Sequence, residues 1–348
     1  MTRDDLHKFF IRCLGAILVL SVTTSCTKNY DDFGPQTPGG GGEVPQKNQV
    51  LILNEGNFMF GNGSISVLNS TTDEVAQEVF KSKNGFPLGD VPQSMSIHDS
   101  LGYIIINNSA KIEVVRMDDF SSVKTITGFN SPRYMTIISE SPLMAWVTDL
   151  YADKIWKVNL DEGKIIGEIP APGWHENIMK WNDQVIALRK SDSVIKIIDI
   201  QDESTIHTFD FTTGVVDFGL YDDNTLMAIL PEGIMEINLQ SYQANKIASF
   251  TPQKNPLKMT LDMENNRMYF IDKDVYQYHF ATQQMHKKIK VNVGSNFYGL
   301  QVHPQTSEVY VSDAKDYVQP GQVIRYHSDF SDSVVYQTGI NPQHIEIY

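Results

Sequence analysis

From about Gln49 onward the chain alternates short apolar runs with clusters of turn residues, and no stretch sustains a helical period. One run type recurs most clearly: Tyr103-Ile104-Ile105-Ile106-Asn107, Ala145-Trp146-Val147-Thr148-Asp149, Val185-Ile186-Ala187-Leu188-Arg189 and Leu226-Met227-Ala228-Ile229-Leu230. It returns as Met268-Tyr269-Phe270-Ile271-Asp272 and Val309-Tyr310-Val311-Ser312-Asp313. Such near-continuous apolar strands are expected to be buried on both faces. Ahead of these runs lies a strand anchored at Pro92, Pro132, His175, Val215, Pro256, Phe297 and Pro342. Three places beyond each anchor stands an apolar residue: Met95, Met135, Ile178, Phe218, Met259, Leu300 and Ile345. A third, more alternating strand follows, as in Lys154-Ile155-Trp156-Lys157-Val158, then a more polar fourth, as in Lys246-Ile247-Ala248-Ser249-Phe250. Polar outer strands keep a sheet edge from pairing with other chains. Successive anchors lie roughly 40–45 residues apart, the period of a four-stranded propeller blade.

Six complete units begin at residues 92, 132, 175, 215, 256 and 297. Upstream, the chain offers only later strands: Val50-Leu51-Ile52-Leu53, Ser64-Ile65-Ser66-Val67-Leu68 and Val75-Ala76-Gln77-Glu78-Val79. Residues 342–348 are a spare innermost strand. The two pieces complete one unit, so the expected fold is all-β, a seven-bladed β-propeller closed by pairing of the C-terminal strand (342–348) with the N-terminal blade. An open stack of the same units would leave two unprotected edges.

In a propeller the innermost strands line a central channel. One face collects the loops leading into those strands and the loops joining second to third strands. That face gathers Gln93, Arg133, Tyr134, Trp174, His175, Asp217, Lys258, Tyr298, Gln343 and His344 about the axis, with Asn107, Tyr151 and Tyr317 on the second set of loops. Two of the loops are longer than a turn requires. The first sets Phe58, Met59 and Phe60 between Gly56 and Gly61; the second runs over residues 314–320. Aromatics on such loops are candidate ligand contacts; alternatively, Phe58 and Phe60 cover the closing blade. Trp174-His175-Glu176-Asn177 replaces a proline-based start, either to meet a ligand or to pack the tryptophan between blades. His175 and His344 lie several blades apart, so no shared metal site is expected. Asp149, Asp272 and Asp313 at strand ends are expected to cap turns rather than bind calcium.

No Gly-x-Ser-x-Gly elbow, His-Glu-x-x-His, P-loop or Gly-x-Gly-x-x-Gly occurs. The expectation is a protein that is not an enzyme and carries no cofactor. A net charge of -14, from 28 basic and 42 acidic residues, argues against nucleic acid or anionic lipid as partner. Only two cysteines occur, Cys13 and Cys26, so no disulfide framework is available.

The N-terminus reads as an address. Arg3, Lys8 and Arg12 precede an apolar run that ends in Thr23-Thr24-Ser25-Cys26, a secretory signal over residues 1–25. The run is shorter than the roughly 20 residues a spanning helix needs. The small residues before Cys26 resemble a bacterial lipobox, with Thr23 where leucine is usual, so Cys26 is the expected lipidation site. Residues 26–46 form a Gly/Pro-rich tether, and 47–348 the propeller. Lys28 and the acidic pair Asp31-Asp32 resemble the export signal that sends Bacteroidetes lipoproteins to the outer face of the outer membrane.

Leu53-Asn54-Glu55-Gly56-Asn57-Phe58, Gly63-Ser64-Ile65-Ser66-Val67, Pro87-Leu88-Gly89-Asp90-Val91-Pro92-Gln93-Ser94-Met95 and Asn107-Asn108-Ser109-Ala110-Lys111 together resemble one family, as does Ser131-Pro132-Arg133-Tyr134. It is the YncE-like (DUF5074) group of Bacteroidetes surface-lipoprotein propellers. The resemblance covers most of residues 49–180, and the later blades only through the repeat. The wider group includes lipoproteins that capture cobalamin above an outer-membrane TonB-dependent transporter. The resemblance therefore implies a surface lipoprotein that captures a ligand, a corrinoid foremost, and passes it to such a transporter. Ligand-contacting residues do not carry over one by one. The alternatives are a scaffold or adhesin without a small-molecule ligand, and a propeller lyase or lactonase.

Overall fold

The recurring runs pair as seven four-stranded antiparallel sheets in the structure, a computed structural model that describes residues 49–348. The signal segment, Cys26 and the tether lie outside the described residues. Blades 2 to 7 each follow chain order from the axis outward, beginning at the strands Pro92–His98, Pro132–Glu140, His175–Trp181, Asp217–Asp222, Lys258–Asp262 and Phe297–Val302. Blade 1 is composite. Its innermost strand is Pro342–Ile347, followed by Gln49–Asn54, Ser64–Asn69 and Glu74–Ala76. Val50 faces Ile347, Ile52 faces Ile345 and Leu53 faces His344, so the first and last strands of the described residues share one sheet. The expected seven-bladed ring and its closing strand are both present.

The apolar second strands explain why the blades stack. Alternate side chains of one strand serve opposite interfaces: Ile104 and Ile106 pack toward blade 1, Tyr103 and Ile105 toward blade 3. Both faces are dry, which is why the runs show no polar alternation. One apolar cluster fills each blade interface, and the interface between blades 7 and 1 is no exception. There Val50, Ile52 and Leu68 meet Tyr310, Val323, Tyr336 and Ile345. Outside that core, Arg325 pairs with Asp73 at 2.9 Å and the Tyr336 hydroxyl donates to the same carboxylate at 2.7 Å.

The fourth strand of blade 1 differs from expectation. It covers only Glu74–Ala76, and the chain then turns through Glu78 (φ 48°) into a short helix, Val79–Asn84. The Gln77 amide donates to the Gln337 carbonyl at 2.5 Å, which ties this corner to blade 7. The helix tucks Phe80 under Leu88, against the core shared by blades 1 and 2. Burying that ring outweighs extending a polar edge strand.

Candidate functional site

The innermost strands begin irregularly, and this shapes the channel mouth. Their pairing with the second strands shifts register at Gln93, between Pro132 and Met135, between His175 and Ile178, between Phe297 and Leu300, and at Gln343. A bulge leaves a residue out of the ladder and re-aims its side chain. At the closure, Gly299 lets two innermost strands approach closely. A Cβ there would stand 2.6 Å from the Gln343 carbonyl oxygen.

The result is a polar cavity of about 200 Å³ at the mouth, joined to one of about 250 Å³ deeper along the axis. Apart from Lys190, every residue lining the mouth stands one or two places after a repeat anchor. Seven of the expected site residues meet here: Gln93, Arg133, Tyr134, Asp217, Lys258, Tyr298 and Gln343. His344 lines the deeper cavity, where its ring also lies 3.2 Å from Glu346.

Glu55, Glu176 and Asn177 complete the constellation. Arg133 closes a fork on Glu176, with Nε to Oε2 at 3.0 Å and Nη2 to Oε1 at 2.9 Å, and its Nη1 donates to Gln93. Burial opposes the guanidinium charge, but Glu176, with Tyr134 and Glu55, more than offsets that, and Arg133 sits above its ordinary value. Trp174 Nε1 donates to the same carboxylate at 2.7 Å. Glu55 accepts from the Tyr298 hydroxyl, and burial pushes its carboxyl up to about 7. The repeat itself carried the signal for Glu176 and Asn177. They occupy the channel-facing places after the His175 anchor, whereas Trp174 and His175 stand out only by their chemistry.

Several expected site residues lie elsewhere. Asn107 is buried and donates to the Pro132 carbonyl at 3.0 Å, joining blade 2 to blade 3. His175 is buried outside both axial cavities, with Nδ1 at 3.0 Å from the Gly173 carbonyl. Burial holds its ring down at about 4. Trp174 is part-buried below Lys190, whose Nζ lies 5.7 Å from the ring centroid. The strand-end acids act as loop clips. Asp149 accepts from the amides of Asn130, Ser131 and Tyr151 and from Trp156 Nε1, while Asp313 accepts from the amides of Asn296 and Lys315. Among the described residues, no group of three or more His, Cys, Asp or Glu is placed to hold a metal ion.

Around the mouth, the same face displays apolar tips. Phe58, Met59, Phe60 and Tyr151 are exposed by 59%, 77%, 77% and 74%. Phe58 and Phe60 therefore do not cover the closing blade. Their loop is well tied. Asn57 and Asn62 bond one another in both directions, the Met59 amide donates to Asp90 at 2.8 Å, and Asn57 reaches the carbonyls of Tyr317 and Val318. Gly56, at φ 78°, makes the sharp exit from the strand. Tyr317 stands edge-on to Tyr298, centroids 5.6 Å apart, and so links the neighbouring loop to the mouth.

Several solved structures share this architecture. A quinonprotein alcohol dehydrogenase-like protein from Bacteroides thetaiotaomicron matches with a TM-score of 0.68 at 15% identity, over 86% of this chain and 78% of that one. The dihydro-heme d1 dehydrogenase NirN matches with a TM-score of 0.62 at 9% identity, over 90% and 77%. The Pan2 WD40 domain of Neurospora crassa matches with a TM-score of 0.61 at 9% identity, over 87% and 90%. At such identities the likeness is one of fold. No curated protein matches. The family model described as a domain of unknown function, DUF5074, matches residues 48–333, and the chain belongs to that family.

Proposed function

We propose that the loop-bearing face captures a ligand without chemically transforming it, with a corrinoid as the ligand class to test first. One observation carries the reading: a polar axial pocket opens on the face that also displays exposed aromatic tips on hydrogen-bonded loops. Ordered loops lose little conformational entropy on binding, so apolar contact converts more fully into affinity. A broad macrocycle edged with amides suits both parts. Its flat body lies against Phe58, Phe60 and Tyr151, and its edge groups meet Arg133, Gln93, Tyr298 and Gln343. In this reading Cys26 carries the lipid, the protein faces outward from the outer membrane, and a TonB-dependent transporter receives the ligand.

Titration calorimetry with cyanocobalamin tests the proposal. Saturable one-to-one heat is expected, weakened about tenfold or more when Phe58 and Phe60 are both changed to alanine. An absence of heat at micromolar protein would sink it. A second reading, docking of a protein partner, is favoured by the exposed Met59 and by Val318, 66% exposed on the neighbouring loop. Pull-down from outer membranes without added small molecule separates the two readings.

A further inference from the structure

Three cations stand at the channel mouth, and their surroundings differ. Arg133 is engaged by Glu176 and Gln93. Lys190 lies over the Trp174 ring. Lys258 has its Nζ 5.8 Å from the centroid of the Tyr134 ring and forms no ion pair among the described residues.

The nearest carboxylates are already occupied. Asp217 Oδ1 accepts from Asn177 Nδ2 at 3.2 Å and from its neighbour's amide at 3.0 Å, while Oδ2 accepts from the Met259 amide at 3.2 Å. Glu176 holds Arg133 and Trp174. Burial pulls Lys258 toward its neutral form, but Tyr134, Asp217 and Glu176 together outweigh that, and the ammonium stays charged. Lys258 lines both axial cavities, at their junction. So does Gln343, whose Oε1 is buried and receives no hydrogen bond. One cavity system therefore presents a cation without an ion pair, with a buried, unbonded amide oxygen in its wall.

We infer that the axial pocket is an oxyanion subsite. It takes a carboxylate- or phosphate-class group borne on a ligand whose apolar body rests on Phe58, Phe60 and Tyr151. This rests on the reading of the face as a ligand site and specifies its ligand class, an amphipathic anion. The half-buried position strengthens the Coulomb attraction relative to open water, against the cost of desolvating the oxyanion.

Two fluorescent probes separate the parts: anilinonaphthalene sulfonate, an oxyanion on an aromatic body, and the uncharged N-phenylnaphthylamine. The sulfonate is expected to bind saturably. Lys258→Met weakens it about tenfold or more, and Lys258→Arg keeps it within about threefold. The uncharged probe responds to neither change, and inorganic phosphate displaces only the sulfonate. Co-sedimentation with phosphatidylglycerol vesicles tells a lipid source of the oxyanion from a soluble one; Lys258 dependence in either arm supports the subsite. Unchanged sulfonate affinity in Lys258→Met, or an equal loss for both probes with melting unchanged, overturns it while leaving the ligand face standing. If neither probe binds the unsubstituted protein, the ligand-face reading itself falls.

Discussion

The Tyr298 hydroxyl is shared between both carboxylate oxygens of Glu55, at 3.2 and 3.1 Å, across the seam where the last blade meets the first. The Glu55 amide donates to the Asn341 carbonyl at 2.9 Å, and its own carbonyl accepts from the Val91 amide at 3.1 Å. One residue therefore joins the closing strand, the aromatic loop and the channel mouth.

That position gives stability a pH signature. Burial raises the Glu55 carboxyl from 4.5 to about 7, against the lowering effects of the Tyr298 bond and Arg133. The folded protein then binds the proton more tightly than the unfolded chain. The contribution is full below the unfolded value and lost as pH rises through the folded one, of order 3 kcal/mol over the window. Urea midpoints measured from about pH 5 to 8 should fall more steeply for the unsubstituted protein than for Glu55→Gln. Identical slopes would contradict the buried placement.

His175 acts in the opposite sense on the acid side. Its folded value, lowered by burial from 6.5 to about 4, makes the neutral ring the form that folds. Stability is present above the unfolded value and lost as pH falls through the folded one. His175→Gln should flatten the acid limb of the same profile whatever it does to stability near neutrality. An unaltered acid limb would count against a buried neutral imidazole.

The Arg133–Glu176 fork joins blades 3 and 4 at the mouth. Removing one partner leaves a poorly hydrated charge, so Arg133→Ala should cost about 3–5 kcal/mol. Arg133→Ala combined with Glu176→Ala should cost less than the sum of the single changes. A double-mutant cycle by urea unfolding measures the coupling, and strict additivity would deny the pairing.

Ring closure depends on Ile345, buried among residues of blades 7 and 1. Ile345→Ala should destabilise by about 2–5 kcal/mol. Deleting residues 342–348 removes a whole innermost strand and should lower the melting temperature far more. Circular dichroism follows both, and an unchanged melting temperature in the truncation would refute closure as a source of stability.

The exposed tips should behave differently. Phe58→Ala, Phe60→Ala and Tyr151→Ala should each leave stability within about 0.5 kcal/mol, because these side chains are exposed rather than packed in a core. A loss above about 2 kcal/mol would show that they cover core.

Much of the mouth was legible because the repeat states which positions face the axis. Gln93, Arg133, Tyr134, Asp217, Lys258 and Tyr298 follow from counting places after each anchor. Trp174 and His175 attracted a ligand reading through their chemistry, yet the next two residues along are those that line the pocket. Asn107 shares a strand end with candidate ligand contacts, but its amide was needed by the Pro132 carbonyl of the next blade.

By itself the sequence determined the all-β class, the seven-fold repeat and the pairing of the chain's ends. Those depend on periodicity and on burying apolar strands on both faces, which are properties of neighbouring residues. Tertiary structure alone decided which polar groups remain unmatched. Glu55 meets Tyr298 across 243 positions of chain, and Lys258 forms no ion pair among the described residues while Arg133, Asn177 and backbone amides bond the carboxylates of Glu176 and Asp217. Such matching depends on distances between blades, and no local pattern of residues encodes it.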